Sequence, residues 1–222
     1  MSIKKITFLF KYLNLKTIYF NFKCFPFLLA IKFPMFLHKK VLLKNVEGKV
    51  NLPKEVFFGM VRIGFGDVGI FDKAKSRTIW EVKGSITFEG SAVIGHGSKI
   101  CVGKNGKLLI GSRFNITAES TIICFHNISI GDECLLSWDI LIMDTDFHTI
   151  SKDDIRLNPD KPILIGNKVW VGARSCILKG SVIPNGCVIA IDSLINKFYN
   201  EENCVMAGSP AKKVIDNIEW AI

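Results

Sequence analysis

Between residues 165 and 195 a branched apolar residue stands at every sixth position: Ile165, Val171, Ile177, Ile183, Ile189 and Ile195. Small residues Ser175, Ser181, Cys187 and Ser193 keep the same step, four positions later in the unit. An amphipathic helix would space its apolar residues by three and four, and a strand in a flat sheet by two. A step of six serves neither. It suits a chain that turns a corner every six residues and sends one aliphatic side chain inward per face, which is a parallel β-helix.

The period extends upstream in three runs: Val82, Phe88, Ile94, Ile100; then Ile110, Ile116, Ile122, Ile128; then Ile130, Leu136, Ile142. Gly often follows the inward residue, as in Ile94-Gly95, Ile110-Gly111, Ile130-Gly131, Ile165-Gly166 and Val171-Gly172. That placement predicts tight backbone turns at the corners of a prism. At three rungs per turn, roughly five coils are expected. The spacing breaks once on a large scale, between Ile142 and Ile165, where a polar, acidic stretch at 144–162 is expected to leave the prism as a loop. Loops on a rigid scaffold are where chemistry concentrates.

Charge divides the chain in two. Residues 1–46 hold nine Lys and no acidic residue or Arg, and the rest balances 20 basic against 20 acidic residues, so the net charge of +9 belongs to the arm. Ten aromatics, from Phe8 to Phe36, share that arm. Its longest stretch without Lys, Cys24 to Ile31, is eight residues, against the roughly 20 needed to span a bilayer. No signal-peptide pattern follows Ile6–Phe10. Two readings stay open for 1–46: contact with an anionic membrane surface, or a cap over the open end of the β-helix. The division expected is 1–46 as a partly helical arm and 47–222 as an all-β domain. Seven Cys without a CxxC pair fit reduced thiols in a cytoplasmic protein, peripheral on the inner membrane face if the arm binds there.

The segments Ile165-Gly166-Asn167-Lys168-Val169-Trp170-Val171-Gly172 and Ala207-Gly208-Ser209-Pro210-Ala211-Lys212, with a His in the loop interrupting the repeats, resemble the left-handed β-helix (hexapeptide-repeat) acyltransferases. Within that family the chain is most similar to the O-acetyltransferases of galactosides, maltose and surface polysaccharides. The resemblance covers roughly three-fifths of the chain, about 82–215. Left-handedness is implied by the resemblance alone, since general rules favour right-handed crossovers.

The resemblance implies acetyl transfer from acetyl-CoA to a sugar hydroxyl, with His148 as general base. A hydroxyl is a weak nucleophile, and a neutral imidazole within ~3 Å can take its proton as it attacks a thioester. Asp144 or Asp146 would orient that ring. Cofactor contacts carry over to Trp170, Gly172, Ala173, Ile191, Asn196 and Lys197, with Lys212 and Lys213 where the family places basic residues for the phosphates. A backbone N–H near Gly172 or Ala173 would meet the oxyanion. Trp138 and Asp139, one rung before the loop, would line the acceptor pocket. The family further implies a homotrimer with its sites between prisms, a saccharide acceptor (a lipid-linked glycan if the arm holds the protein at the membrane), and no metal.

Other readings of the same residues are a non-catalytic β-helix for binding or assembly, an N-acetyltransferase acting on an amino sugar, and a covalent acyl-Cys route through Cys124 beside His126. A γ-class carbonic anhydrase needs three His around zinc with two close in sequence, and the gaps here are 30 and 22 residues. Nucleic-acid binding fits poorly, because the domain is neutral and the arm lacks Arg.

Overall fold

The computed structural model describes residues 12–221. Three sheets of nine, seven and six strands, parallel except for the last strand of the first, form the faces of a prism. The first face runs through Met35–Leu37, Val61–Phe65, Ala92–His96, Phe114–Ala118, Leu135–Trp138, Trp170–Val171, Val188–Ile189 and Val205–Gly208. The second runs from Leu42–Val46 to Leu194–Ile195, and the third from Lys49–Asn51 to Val182–Ile183. The chain visits third, first and second faces in turn, which gives the parallel β-helix the sequence predicts. Its handedness is that of the left-handed acetyltransferases it resembles in fold.

Register explains the period. Ile165 pairs with Ile183 on the third face, Val171 with Ile189 on the first and Ile177 with Ile195 on the second. Successive sixth residues therefore stack in three inward columns, and all six are buried. Burying each such side chain stabilises the fold by about 1.5–3 kcal/mol. Cys134 and Cys187 also sit buried in the core, as small repeat residues should, and all seven cysteines are free.

Two expectations need correction. The glycines after the inward residues do not supply left-handed backbone. That conformation is carried two positions later, at Glu133, Lys168, Arg174 and their equivalents. The glycines are there because adjacent coils approach so closely that a Cβ on Gly166 would lie 2.8 Å from the Asn185 amide, and one on Gly172 2.7 Å from the Ile189 carbonyl. The coils also number more than five: eight parallel strands stack on the first face, beginning at Met35 within the segment expected as an arm. Upstream strands carry two inward residues per face, so the step from Ile94 to Ile116 is 22 residues whereas Val171 to Ile189 is 18.

Helix α1 (Leu15–Cys24) closes the N-terminal end, followed by the short α2 (Phe27–Ala30). Asn14 caps α1, its side chain accepting from the Lys16 and Thr17 amides. The strand Met35–Leu37 would otherwise expose an unpaired edge. Thr17 exchanges hydrogen bonds with the Leu37 backbone and Asn21 with the Met35 backbone, so two helix side chains complete that strand. Phe20 packs edge-on against Trp80, 5.3 Å between centroids, at the end of the core. At the other end, Ala211–Ile215 turns back antiparallel on Val205–Gly208.

Candidate active site

Each coil has three corners, and the candidate residues fall on two of the edges they build. The edge between the first and second faces stacks Trp138-Asp139 over Ala173-Arg174 over Ile191-Asp192: the Arg174 amide donates to the Trp138 carbonyl and the Asp192 amide to the Ala173 carbonyl, each at 3.0 Å. Asp139, Arg174 and Asp192 all adopt left-handed backbone there. Arg174 and Asp192 pair at 2.6 Å, which holds the Asp192 carboxyl below its usual range through the guanidinium hydrogen bond. Trp170 stands half-exposed on the adjoining first face, its Nε1 donating to Ser137 Oγ at 3.2 Å and its ring 6.1 Å from that of Trp220.

Two amides competed for the oxyanion role on this edge. The Gly172 N–H is spent on the Ile189 carbonyl at 2.8 Å as part of the ladder. The Ala173 N–H has no acceptor among the described residues, and the residue is 5% exposed.

The edge between the second and third faces carries His148. The chain leaves the prism after Leu141–Met143 and rejoins it at Ile163–Ile165, forming a small hairpin from Ser151–Lys152 and Ile155–Arg156 on the way. His148 is exposed. Its backbone is pinned on both sides, with its amide donating to the Asp146 carbonyl (2.7 Å) and its carbonyl accepting from Asn158 Nδ2 (2.8 Å). Asn158 Nδ2 also donates to Asp146 Oδ2, and Asn158 Oδ1 accepts from the Ile150 amide. Lys179, one coil further on, donates to Asp146 Oδ2 at 2.5 Å and to the Asn158 carbonyl at 3.0 Å. Those bonds, Lys179 first, hold the Asp146 carboxyl below its usual range.

Neither aspartate orients the imidazole as expected. Among the described residues no hydrogen bond reaches the His148 ring. Asp144 is fully buried and accepts from the Phe125 (2.7 Å) and His126 (2.9 Å) amides, locking the root of the loop. Asp146 is the anchor for Lys179 and Asn158. Asp144 ties the loop to backbone amides of the preceding coil and Asp146 ties it to two side chains, and neither bonds the ring. Asn158 and Lys179 escaped the sequence reading, since they lie 10 and 31 residues from His148 and only the fold of the loop and the coil register bring them together.

The remaining cofactor candidates gather near the C-terminal end. Lys197, Lys212 and Lys213 line one cavity of about 240 Å³ with Tyr199 and Glu201. Lys213 is engaged by Glu201 (2.7 Å) and Asp216 (2.8 Å), whose hydrogen bonds, Asp216 first, raise its pKa. Lys197 stands 5.3 Å above the Tyr199 ring, and Asn196 beside it is exposed. Three lysines in one concave place suit a polyphosphate group.

One alternative chemistry loses its footing. Cys124 is completely buried, and burial, reinforced by the Asp144 charge, pushes its thiol up to about 12. It cannot supply a thiolate for an acyl-Cys route near neutral pH. His96 is buried with its Nδ1 2.8 Å from Ser76 Oγ, while Ser76 also bonds Glu119. Among the described residues no three His, Cys, Asp or Glu side chains lie close enough to share a metal ion.

No protein-family model matches the chain. A 24.8 kDa protein from the cps region of Klebsiella pneumoniae is 28% identical over 200 residues, covering 90% of this chain and 86% of its own. The polysialic acid O-acetyltransferase of Escherichia coli O1:K1 is 34% identical over 137 residues, 60% of this chain; the match spans 41% of that enzyme's length, less than half. Among solved structures, the polysialic acid O-acetyltransferase OatWY superposes with a TM-score of 0.60 at 28% identity, over 82% of this chain and 91% of that one. In sequence and in fold, then, the chain is similar to the hexapeptide-repeat O-acetyltransferases of surface polysaccharides.

Proposed function

We propose that this protein transfers an acetyl group from acetyl-CoA to a hydroxyl of a bacterial surface saccharide, with His148 as general base. The observation that carries the reading is the loop at 144–162. It is one exposed interruption in a regular scaffold, and it is anchored at its root by Asp144, Asp146, Asn158 and Lys179 while leaving the imidazole free to meet a ligand. A scaffold used only for assembly has no need of that arrangement.

Acetyl-CoA supplies the acyl group as a thioester. His148 takes the proton of the attacking hydroxyl, and the same imidazolium then returns a proton as the thiolate departs, so the ring ends neutral. The Ala173 N–H is the free corner donor for the developing oxyanion, an interaction worth about 3–4 kcal/mol when well aimed. Trp170, Gly172 and Ile191 border the same edge and would flank the pantetheine arm. Asn196, Lys197, Lys212 and Lys213 would receive the phosphates, with Lys213 first releasing Glu201 or Asp216. Trp138 and Asp139 would stack on and accept from the sugar.

His148 and Ala173 belong to different edges of the prism, separated by the second face. A site needing both is completed by a neighbouring copy, with the loop of one prism against the first–second edge of the next; a closed homotrimer gives every loop such a partner. At the inner membrane face, the acceptor would be a lipid-linked glycan precursor. The test is thiol release from acetyl-CoA with a panel of capsular and lipopolysaccharide oligosaccharides. Acceptor-dependent release lost in His148→Ala, with acetyl-CoA binding kept, supports the reading; equal release by both proteins overturns the role of His148.

A further inference from the structure

Helix α1 carries apolar residues on both sides, with Phe20 packed into the core. Its polar residues Thr17 and Asn21 are buried against the edge strand, while Leu15 (85% exposed), Tyr19 (53%) and Phe22 (44%) face outward. In α2 and just after it, Phe27 (67%), Leu28 (75%) and Ile31 (46%) are exposed too. Phe22 and Phe27 touch, 6.0 Å between centroids, which joins the two helices' outer sides into one apolar patch. Patches of this kind on a soluble surface mark interaction sites.

The patch is rimmed by cations. Lys16 and Lys23, seven residues apart, share one flank of α1, and Lys23 and Lys32 are exposed. Beside the N-terminal end of α1 a cavity of about 310 Å³ is lined by Lys16, Lys39, Lys40, Lys75 and Arg77. Lys16 and Lys40 lean on backbone carbonyls, and among the described residues no carboxylate pairs with any of the five. The arm that carries the patch contains no acidic residue at all.

We infer that this patch docks the protein on an anionic lipid bilayer, the exposed aromatic and aliphatic residues entering the headgroup boundary while the basic cavity and flanking lysines meet lipid phosphates. The two helices lie in the interface and do not span it; among the described residues no helix is long and apolar enough to cross a membrane. A second copy of the chain is a worse occupant, because a two-fold contact would set lysine against lysine across the apolar centre. The capping role and the docking role use opposite sides of one helix, so the two readings of the arm are compatible. The inference rests on the arm and is independent of the acetyl-transfer reading.

Co-sedimentation of the full chain with phosphatidylcholine vesicles, with and without about 30% phosphatidylglycerol, tests it. The full chain should pellet with the anionic vesicles only. Phe27→Ser/Leu28→Ser and, separately, Lys23→Glu/Lys32→Glu should each weaken that binding at least about tenfold, with unchanged melting temperature, since all four side chains are exposed. Failure of the full chain to bind anionic vesicles overturns the inference, as does wild-type binding by both variants. So does a drop in oligomer size by light scattering in Phe27→Ser/Leu28→Ser, which would give the patch to a second copy. Because the readout is lipid binding, its failure is separable from failure of the catalytic assay.

Discussion

The two edges of the prism that carry the candidate site are made on opposite plans. Along the first–second edge, each coil repeats one backbone conformation with different side chains, with left-handed backbone at Asp139, Arg174 and Asp192 stacked one above another. Along the second–third edge the pattern is broken by the loop, and position there depends on side chains from distant rungs: Asp144 on the Phe125 and His126 amides, and Lys179 on Asp146 and Asn158. A repeated edge offers identical backbone groups and selects among them by which N–H the ladder leaves over. An interrupted edge offers one exposed group and must hold it from outside. Binding suits the first plan and proton transfer the second.

Breaking either edge should therefore have different consequences. His148→Ala removes the proposed base and should lower kcat by about 10²–10⁴-fold with little change in KM for acetyl-CoA, measured as acceptor-dependent thiol release. Ala173→Pro deletes the free corner N–H. If that group meets the oxyanion, kcat falls by about 10²–10³-fold while circular dichroism remains that of the wild type. Retained activity would return the role to another donor. Asn158→Ala leaves the imidazole in place and loosens its support. An intermediate loss of roughly tenfold in kcat, with unchanged melting temperature, is expected if the backbone of His148 is positioned by that amide.

Acid should separate the edges more gently. Lys179 depresses the Asp146 pKa, so the anchoring contribution is fully present above the ordinary carboxylate pKa and is lost only as pH falls through the lowered value. The loop should resist limited proteolysis equally at pH 7 and pH 5, both being above the ordinary aspartate pKa of about 3.9. Faster cleavage at pH 5 would show that the ion pair is not what holds it.

Much of this was legible in the sequence where the chain is strictly periodic. From Ile165 to Ile195 every predicted inward residue is inward, because short strands with one buried residue per face leave the period of six no freedom. Upstream the same signal blurs. Val82, expected in register with Ile100, pairs with Val102, while Trp80 takes the place beside Ile100. Strands there bury two residues each, and a count of six cannot tell them apart. Glycine was read for its backbone freedom when the determining factor was the spacing between coils. The loop and His148 were visible as a break in the pattern, but the partners of Asp144 and Asp146 were not, because backbone and side-chain groups 12 to 33 residues away decide them. The arm's two faces were hidden for a further reason: the buried side of α1 mixes Phe20 with Thr17 and Asn21 while apolar residues also face outward, so hydropathy alone does not orient the helix.

The central claim is that two edges on different copies make one site, and mixing inactive chains tests it most directly. His148→Ala keeps the repeated edge intact, and Ala173→Pro keeps the loop intact. Unfolded together and refolded at equal amounts, the two should regain roughly a quarter of wild-type activity, the chance that a given contact pairs two intact edges. Activity that stays at the level of the separate variants would contradict a shared site and place the chemistry within a single prism.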